Sequence, residues 1–311
     1  MKGERKNMKM EVFTDKLYKE VAAKFGGGIQ AEAREIRKNN GVILHGLLVK
    51  RQGRNVAATI YLDRLLEAYE SGISFQAIAR KVLDICQEEW DRDSADMEFF
   101  RSFDRVRDRI CCRLVSRNGN ERLLGEIPYT GFLDLAVTFF YAYHGELGDG
   151  MIQINNSHME MWNTCPEELA VLAEHNTPRL FPWECGGLLE VLEKITAQED
   201  AAADSGPGGF QEIPCGAVPM MVLSNTAKTY GAACILYPGV LEEIAGRTGH
   251  DIFILPSSTH EVVLLPDTGI DDCASLKEMV RDINSTLVAP EEVLSDTLYR
   301  YDRAEKKIVT V

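Results

Sequence analysis

Apolar and polar positions along this chain fall into blocks of changing period, and the blocks predict its elements. Val12, Leu17, Val21, Ala22 and Phe25 recur at near-helical spacing over residues 10–25, and Gly26-Gly27-Gly28 stops the segment. Ile29 to Lys38 alternates weakly, Asn39-Asn40-Gly41 reads as a turn, and Val42 to Arg51 is strand-like. Gln52 to Asn55 is the next turn, followed by a strand at Val56 to Tyr61 and a helix from Leu62 to Glu70. Ser74 is a suitable N-cap for a helix running to about Glu89.

Beyond Pro128, Leu133 to Tyr143 reads as a buried strand, turned by His144 to Gly150 into Met151 to Asn155. Asn156 or Ser157 caps a helix through Trp162, and Pro166, Glu167 and Glu168 occupy the first turn of another, where proline and acids belong. The two prolines of Asn176 to Pro182 force that stretch out of helix. Residues 197–209 (AQEDAAADSGPGG) form a low-complexity linker. Strands follow at Pro219 to Ser224, Ala232 to Tyr237, Asp251 to Leu255 and Glu261 to Leu265, with helices at Val240 to Gly246 and from Ser275 to about Val288. A hairpin of Leu298 to Tyr301 with Ile308 to Val311 ends the pattern.

Strand, turn, strand and short helix recur at Val42 to Tyr69, Leu135 to Trp162 and Met220 to Ala245. The fold class is therefore α+β, with antiparallel sheets flanked by helices. One reading makes these blocks a threefold strand-strand-helix repeat; the other, since identity between them is slight, is convergent patterning.

Charge changes this picture. The 34 Lys and Arg against 48 Asp and Glu give −14, but residues 1–120 hold 23 against 18 and residues 121–311 hold 11 against 30. A basic α+β domain over residues 1–125 is thus expected before an acidic α+β region over 126–311. Arg101, Arg105, Arg109, Arg113 and Arg117 repeat every four residues, with Phe99, Phe103, Val106, Ile110 and Leu114 interleaved. On one helix they would form a stripe suited to phosphates or an acidic partner. The competing readings are a solvated face paired with Asp104 and Asp108, or a strand over Ile110 to Val115 that breaks the stripe.

No CxxC, HExxH, GxGxxG, GxSxG or GxxxxGK[ST] occurs, so no cofactor or metal is expected. The eight cysteines read as free, mostly buried thiols; Cys111 and Cys112, if in a strand, point to opposite faces. The N-terminus lacks a signal-peptide apolar run, and the longest apolar stretch, Leu135 to Tyr143, falls well short of the roughly 20 residues of a membrane span. A cytoplasmic location without membrane contact is expected.

The strongest candidate for chemistry is the corner from Ser257 to Asp267, where Ser258, His260 and Asp267 combine hydroxyl, imidazole and carboxylate. The plainer alternative is a turn whose hydroxyls satisfy backbone groups. Arg179, between apolar neighbours, is a candidate anion clamp or part of a strap anchored by Phe181 and Trp183. Asp149, His158 and Glu160 match no metal spacing, and Asp63 and Asp296 suit acid–base work only if folding unites them.

KNNGVILHGLLV, TIYLDRLLEAYESG, EIPYTGFLDLAVTFF, NTPRLFP, GAACILYPGVLEEIAG, ILPSSTHEVVLLPD and VAPEEVLSDTLYRYDR, spread over residues 10–305, together resemble an uncharacterised family of gut-dwelling Clostridia-type bacteria, domain of unknown function 5688. The resemblance implies a cytoplasmic bacterial protein and brings no activity, cofactor or catalytic residue. The leading expectation is a non-catalytic module that binds a protein or peptide, across the basic region or along sheet edges. The alternatives are a hydrolase-like or small-ligand enzyme at the Ser257–Asp267 corner, and, ranked below it, nucleic-acid binding through Arg101 to Arg117.

Overall fold

A computed structural model describes residues 8–52, 57–91, 98–145, 148–187, 220–269 and 273–311. The low-complexity linker at 197–209 and most of the turn at 52–55 lie outside these residues. Two compact units emerge, residues 1–98 with 144–149, and 99–143 with 150–311. The division lies at 98, so the arginine-bearing segment after it belongs with the C-terminal elements, whereas charge counting had put the boundary at 125.

In the first unit, helix α1 (Met10–Phe25) buries Phe13, Leu17 and Val21, one face at four-residue spacing, and ends at Gly26 with φ 72°. Val12 is exposed. The antiparallel sheet β1-β2-β3 (Ile29–Arg37, Ile43–Arg51, Ala57–Tyr61) follows. Its alternation sets Leu47 and Val49 of β2 and Ala58 and Ile60 of β3 into one core with α1. Helices α2 (Asp63–Glu70) and α3 (Phe75–Asp91) close that core with Ile78, Val82 and Cys86. Ser74 accepts the Ala77 N–H at 3.2 Å and caps α3.

In the second unit, short helical turns, including α4 (Phe103–Val106), lead into strand β4 (Ile110–Ser116). Helix α5 (Glu121–Glu126) precedes β5 (Tyr129–Phe132), β6 (Leu135–Gly145) and β7 (Gly148–Gln153). Strands β4, β6 and β5 are neighbours in that order, with β7 also on β6. The single helix that would carry the arginine stripe is thus absent: the β-rich sequence ICCRLVS makes residues 110–116 a strand. Cys111 and Cys112 consequently enter different cores.

Helix α6 (Asn156–Trp162) is capped by Asn155, one residue earlier than expected, and α7 (Pro166–Leu180) runs through Pro178. The predicted helix break at Asn176 to Pro182 is thereby corrected. Pro178 forfeits one amide bond in the last turn, but buried Asn176 and Thr177 just before it are bonded to β4 and its approach and hold the helix there.

Strands β8 (Trp183–Gly187), β9 (Met221–Asn225), β10 (Ile252–Leu255), β11 (Val262–Pro266), β12 (Tyr299–Asp302) and β13 (Lys307–Thr310) form an antiparallel sheet ordered β13-β12-β10-β11-β9-β8. Helices α8 (Val240–Thr248) and α9 (Cys273–Thr286) pack on it through Ile244 and Val280. The architecture is α+β. The expected strand at Ala232 to Tyr237 is instead a buried 3-10 turn, Gly231–Leu236. The third strand-strand-helix block therefore fails, while β2-β3-α2 and β6-β7-α6 keep the pattern. Among the described residues, no helix is long and apolar enough to cross a membrane.

Candidate functional site

The corner before β11 is built from backbone pairing. Leu294 N–H donates to Ser257 O at 3.3 Å, Thr259 N–H to Glu292 O at 2.8 Å, and Ala232 N–H to Thr259 O at 3.3 Å. The Ser258 hydroxyl accepts the His260 N–H at 3.0 Å, a local turn bond to the backbone of His260 rather than to its imidazole. Asp267 lies beyond the whole of β11, on the order of 20 Å along the chain from His260. It faces Arg300 at 3.6 Å. Ser258, His260 and Asp267 do not assemble into a catalytic group.

His260 has other contacts. Its Nδ1 accepts the Tyr230 N–H at 3.2 Å, and its ring stacks on that of Tyr230 at 5.6 Å and 14°. Nε2 stands 3.9 Å from Glu292 Oε1. Tyr230 is in the left-handed region, φ 54°, at the end of a turn that Asn225 closes through Thr229 at 2.8 and 3.3 Å. The Arg113 guanidinium lies over the same ring, Cζ 4.7 Å from its centre. Arg113 also donates through Nε to Thr138 Oγ1 at 3.4 Å and through Nη2 to Gln153 Oε1. Two residues marked independently in the sequence, Arg113 and His260, thus meet on Tyr230.

The other arginines do not join them. Arg101, Arg105 and Arg117 are exposed, and half-buried Arg109 donates to Ala142 O at 2.6 Å. Arg179 donates to Asp108 O at 2.6 Å and to Asn176 Oδ1 at 3.3 Å, so its guanidinium fastens α7 to the turn before β4. Arg117 lines a cavity of about 600 Å³ with Glu121, Tyr129 and Asp134. Burial alone would raise the Asp134 pKa, but the hydroxyls of Ser295, Tyr299 and Thr297 together hold the carboxyl below its ordinary value.

Of the looser candidates Glu160 is exposed, and the others each have a local partner. Asp149 pairs with His144, and His158 Nδ1 accepts the Asn155 N–H at 3.1 Å while its ring stacks on Trp162. Asp296 accepts from Asn284 at 2.7 Å. Asp63 accepts the His45 N–H at 2.7 Å through Oδ2 and faces His45 Nδ1 at 2.9 Å through Oδ1. His45 escaped sequence reasoning, although alternation sets it on the face of Leu47 and Val49 and Asp63 falls in the first turn of the helix predicted after Val56 to Tyr61. It lines a groove of about 790 Å³ between α1 and the sheet, with Thr14, Tyr18, Ala31, Ala33 and Glu35. Among the described residues no three or more His, Cys, Asp and Glu side chains are arranged to hold a metal ion.

No curated protein and no solved structure matches this chain. A family described as of unknown function, DUF5688, matches residues 10–303, and the chain belongs to that family.

Proposed function

We propose that the chain is a non-catalytic cytoplasmic module that binds an extended peptide segment of a protein partner in the groove between α1 and β1. The observation that carries this reading is the groove's position beside β1, a nine-residue strand at the open end of its sheet, paired with β2 alone among the described residues. A peptide strand added there would use the outward N–H and C=O groups of β1 and drop alternate side chains toward Ala31 and Ala33. These alanines are small enough to leave the space open. Glu32 and Arg34 pair with each other at 2.8 Å, so they do not deter an incoming strand through uncompensated charge.

Charge narrows the occupant. Asp15 on the rim is paired with Lys19, whereas Glu11 and Glu35 have no ion-pair partner among the described residues. They suit a peptide carrying a lysine or arginine. A cytoplasmic setting accords with cysteines that stand as free thiols, Cys86, Cys111, Cys112 and Cys234 among them.

The test is fluorescence anisotropy of the full chain with labelled extended peptides of alternating Val and Thr, carrying a central lysine or a central glutamate. The lysine peptide should bind more tightly, Ala33→Arg should abolish binding by filling the groove, and Glu35→Lys should reverse the charge preference. Absence of binding by both peptides, or full binding by a folded Ala33→Arg variant, rejects the reading.

A further inference from the structure

Arg113 is half-buried, and among the described residues no carboxylate lies within ion-pair distance of it, although the chain carries 48 acids against 34 Lys and Arg. A guanidinium drawn partly out of water normally takes a carboxylate with it. Arg113 has instead two neutral acceptors, Thr138 Oγ1 and Gln153 Oε1, and the Tyr230 ring. These hold the group in one orientation and leave its positive charge intact. Among the described residues Nη1 has no acceptor for either of its N–H donors, and Nη2 has one to spare.

The support for this cation is itself strained. A tyrosine at φ 54° is uncommon, and such a conformation persists only where its surroundings over-determine it. His260 does so, accepting the Tyr230 N–H on Nδ1 and stacking on the ring. The next residue, Gly231, has no room for a side chain: a Cβ there would stand 2.2 Å from Ser224 Oγ and 2.5 Å from His260 O. With Nδ1 acting as acceptor, neutral His260 carries its proton on Nε2, and Glu292 at 3.9 Å is beyond hydrogen-bond length. The uncommitted N–H groups of Arg113 and His260 are therefore all donors.

We infer that Arg113 is the receptor for a small oxyanion, with Tyr230 and His260 as positioning residues. The parallel N–H groups of the guanidinium match the two oxygens of a carboxylate. A phosphate offers the same chemistry from a different source. The site lies in the second unit and is independent of the peptide groove.

Succinate and inorganic phosphate, titrated separately into the full chain at low ionic strength, distinguish the sources by calorimetry. Saturable one-to-one binding by succinate assigns a carboxylate, and tighter binding by phosphate assigns a phosphate; either supports the receptor. Arg113→Lys should weaken binding at least tenfold, since a single ammonium cannot grip two oxygens. His260→Ala should weaken it several-fold by loosening Tyr230, with a modest fall in thermal midpoint because the Tyr230 N–H loses its acceptor. In the unaltered chain the Arg113 Nε–H NMR signal should move during the titration. Failure of both anions to bind, binding that leaves the Arg113 signal unmoved, or undiminished binding by a folded Arg113→Gln variant overturns the inference.

Discussion

The Thr177 hydroxyl on α7 accepts the Cys112 backbone N–H at 3.1 Å and donates its own hydrogen to Ala173 O at 2.6 Å. A side chain thereby takes the place of a strand along the outer edge of β4. Asn176 extends the cover, donating to Ile110 O at 3.1 Å and Arg107 O at 2.8 Å. An edge that could recruit another chain is closed by a helix.

Thr177→Val keeps the shape and removes the acceptor, leaving a buried N–H unsatisfied. The expected loss is about 1–3 kcal/mol. Urea unfolding should show a lower midpoint at unchanged slope, and Thr177→Ser should recover most of it. A Thr177→Val midpoint equal to that of the unaltered chain would contradict the edge-capping role.

His158 gives an acid-dependent loss of stability. Burial among Phe100 and Trp162 lowers its pKa, and the neutral ring accepts the Asn155 N–H. The unfolded chain therefore takes up a proton first as pH falls. This contribution is complete above the unfolded value of about 6.5 and declines below it, toward the folded pKa. Denaturant midpoints compared at successive pH values should fall below neutrality, and His158→Gln should flatten that part of the profile.

Gly231→Ala should be among the most damaging single changes. Its Cβ would meet Asn225 N at 2.7 Å as well as Ser224 Oγ and His260 O, two of the three being backbone atoms that cannot swing away. A loss of roughly 3 kcal/mol or more is expected, as for overpacking at the costly end. Gly125→Ala on α5, where nothing lies within 4 Å, should instead be neutral or gain about 0.5–1 kcal/mol. Thermal midpoints of the pair decide it.

Thiol labelling should separate the cysteines by site. Burial pushes Cys111 and Cys234 up to about 12 and Cys86 and Cys112 to about 11, so none carries appreciable thiolate at neutral pH. Among the described cysteines, exposed Cys165 should react first with a maleimide, and those four only on unfolding. Site-resolved mass spectrometry with early labelling at Cys112 would contradict the packing described.

Period alone revealed α1, where Phe13, Leu17 and Val21 bury one face, and β2 and β3, whose buried Leu47, Val49, Ala58 and Ile60 alternate with more exposed residues; the β6–β7 hairpin was legible instead from its apolar run and glycine-rich turn, since β6 is buried on both faces. It failed at residues 232–237, where a run of small apolar residues is too short to tell strand from 3-10 turn and the left-handed Tyr230 gives no warning. The arginine series misled for a different reason. Spacing of four fits a helical stripe, yet it is also a multiple of two, so Arg113 and Arg117 fit a strand and its continuation equally; the β-branched and apolar neighbours favoured the strand. Arg113 was legible as one member of the arginine series and His260 as part of the Ser257–Asp267 corner. Their meeting on Tyr230 was not, because it depends on how two sheets pack, and no local pattern encodes that.

Asp134 has a consequence for how the chain is made. The hydroxyls that hold its carboxylate belong to Ser295, Thr297 and Tyr299, more than 160 residues downstream. During synthesis the β5–β6 connection leaves the ribosome long before them, with a charged group whose partners do not yet exist. The second unit can lock around Asp134 only late in translation, so a ribosome that stalls before Ser295 releases a product without this lock, exposed to cellular proteases.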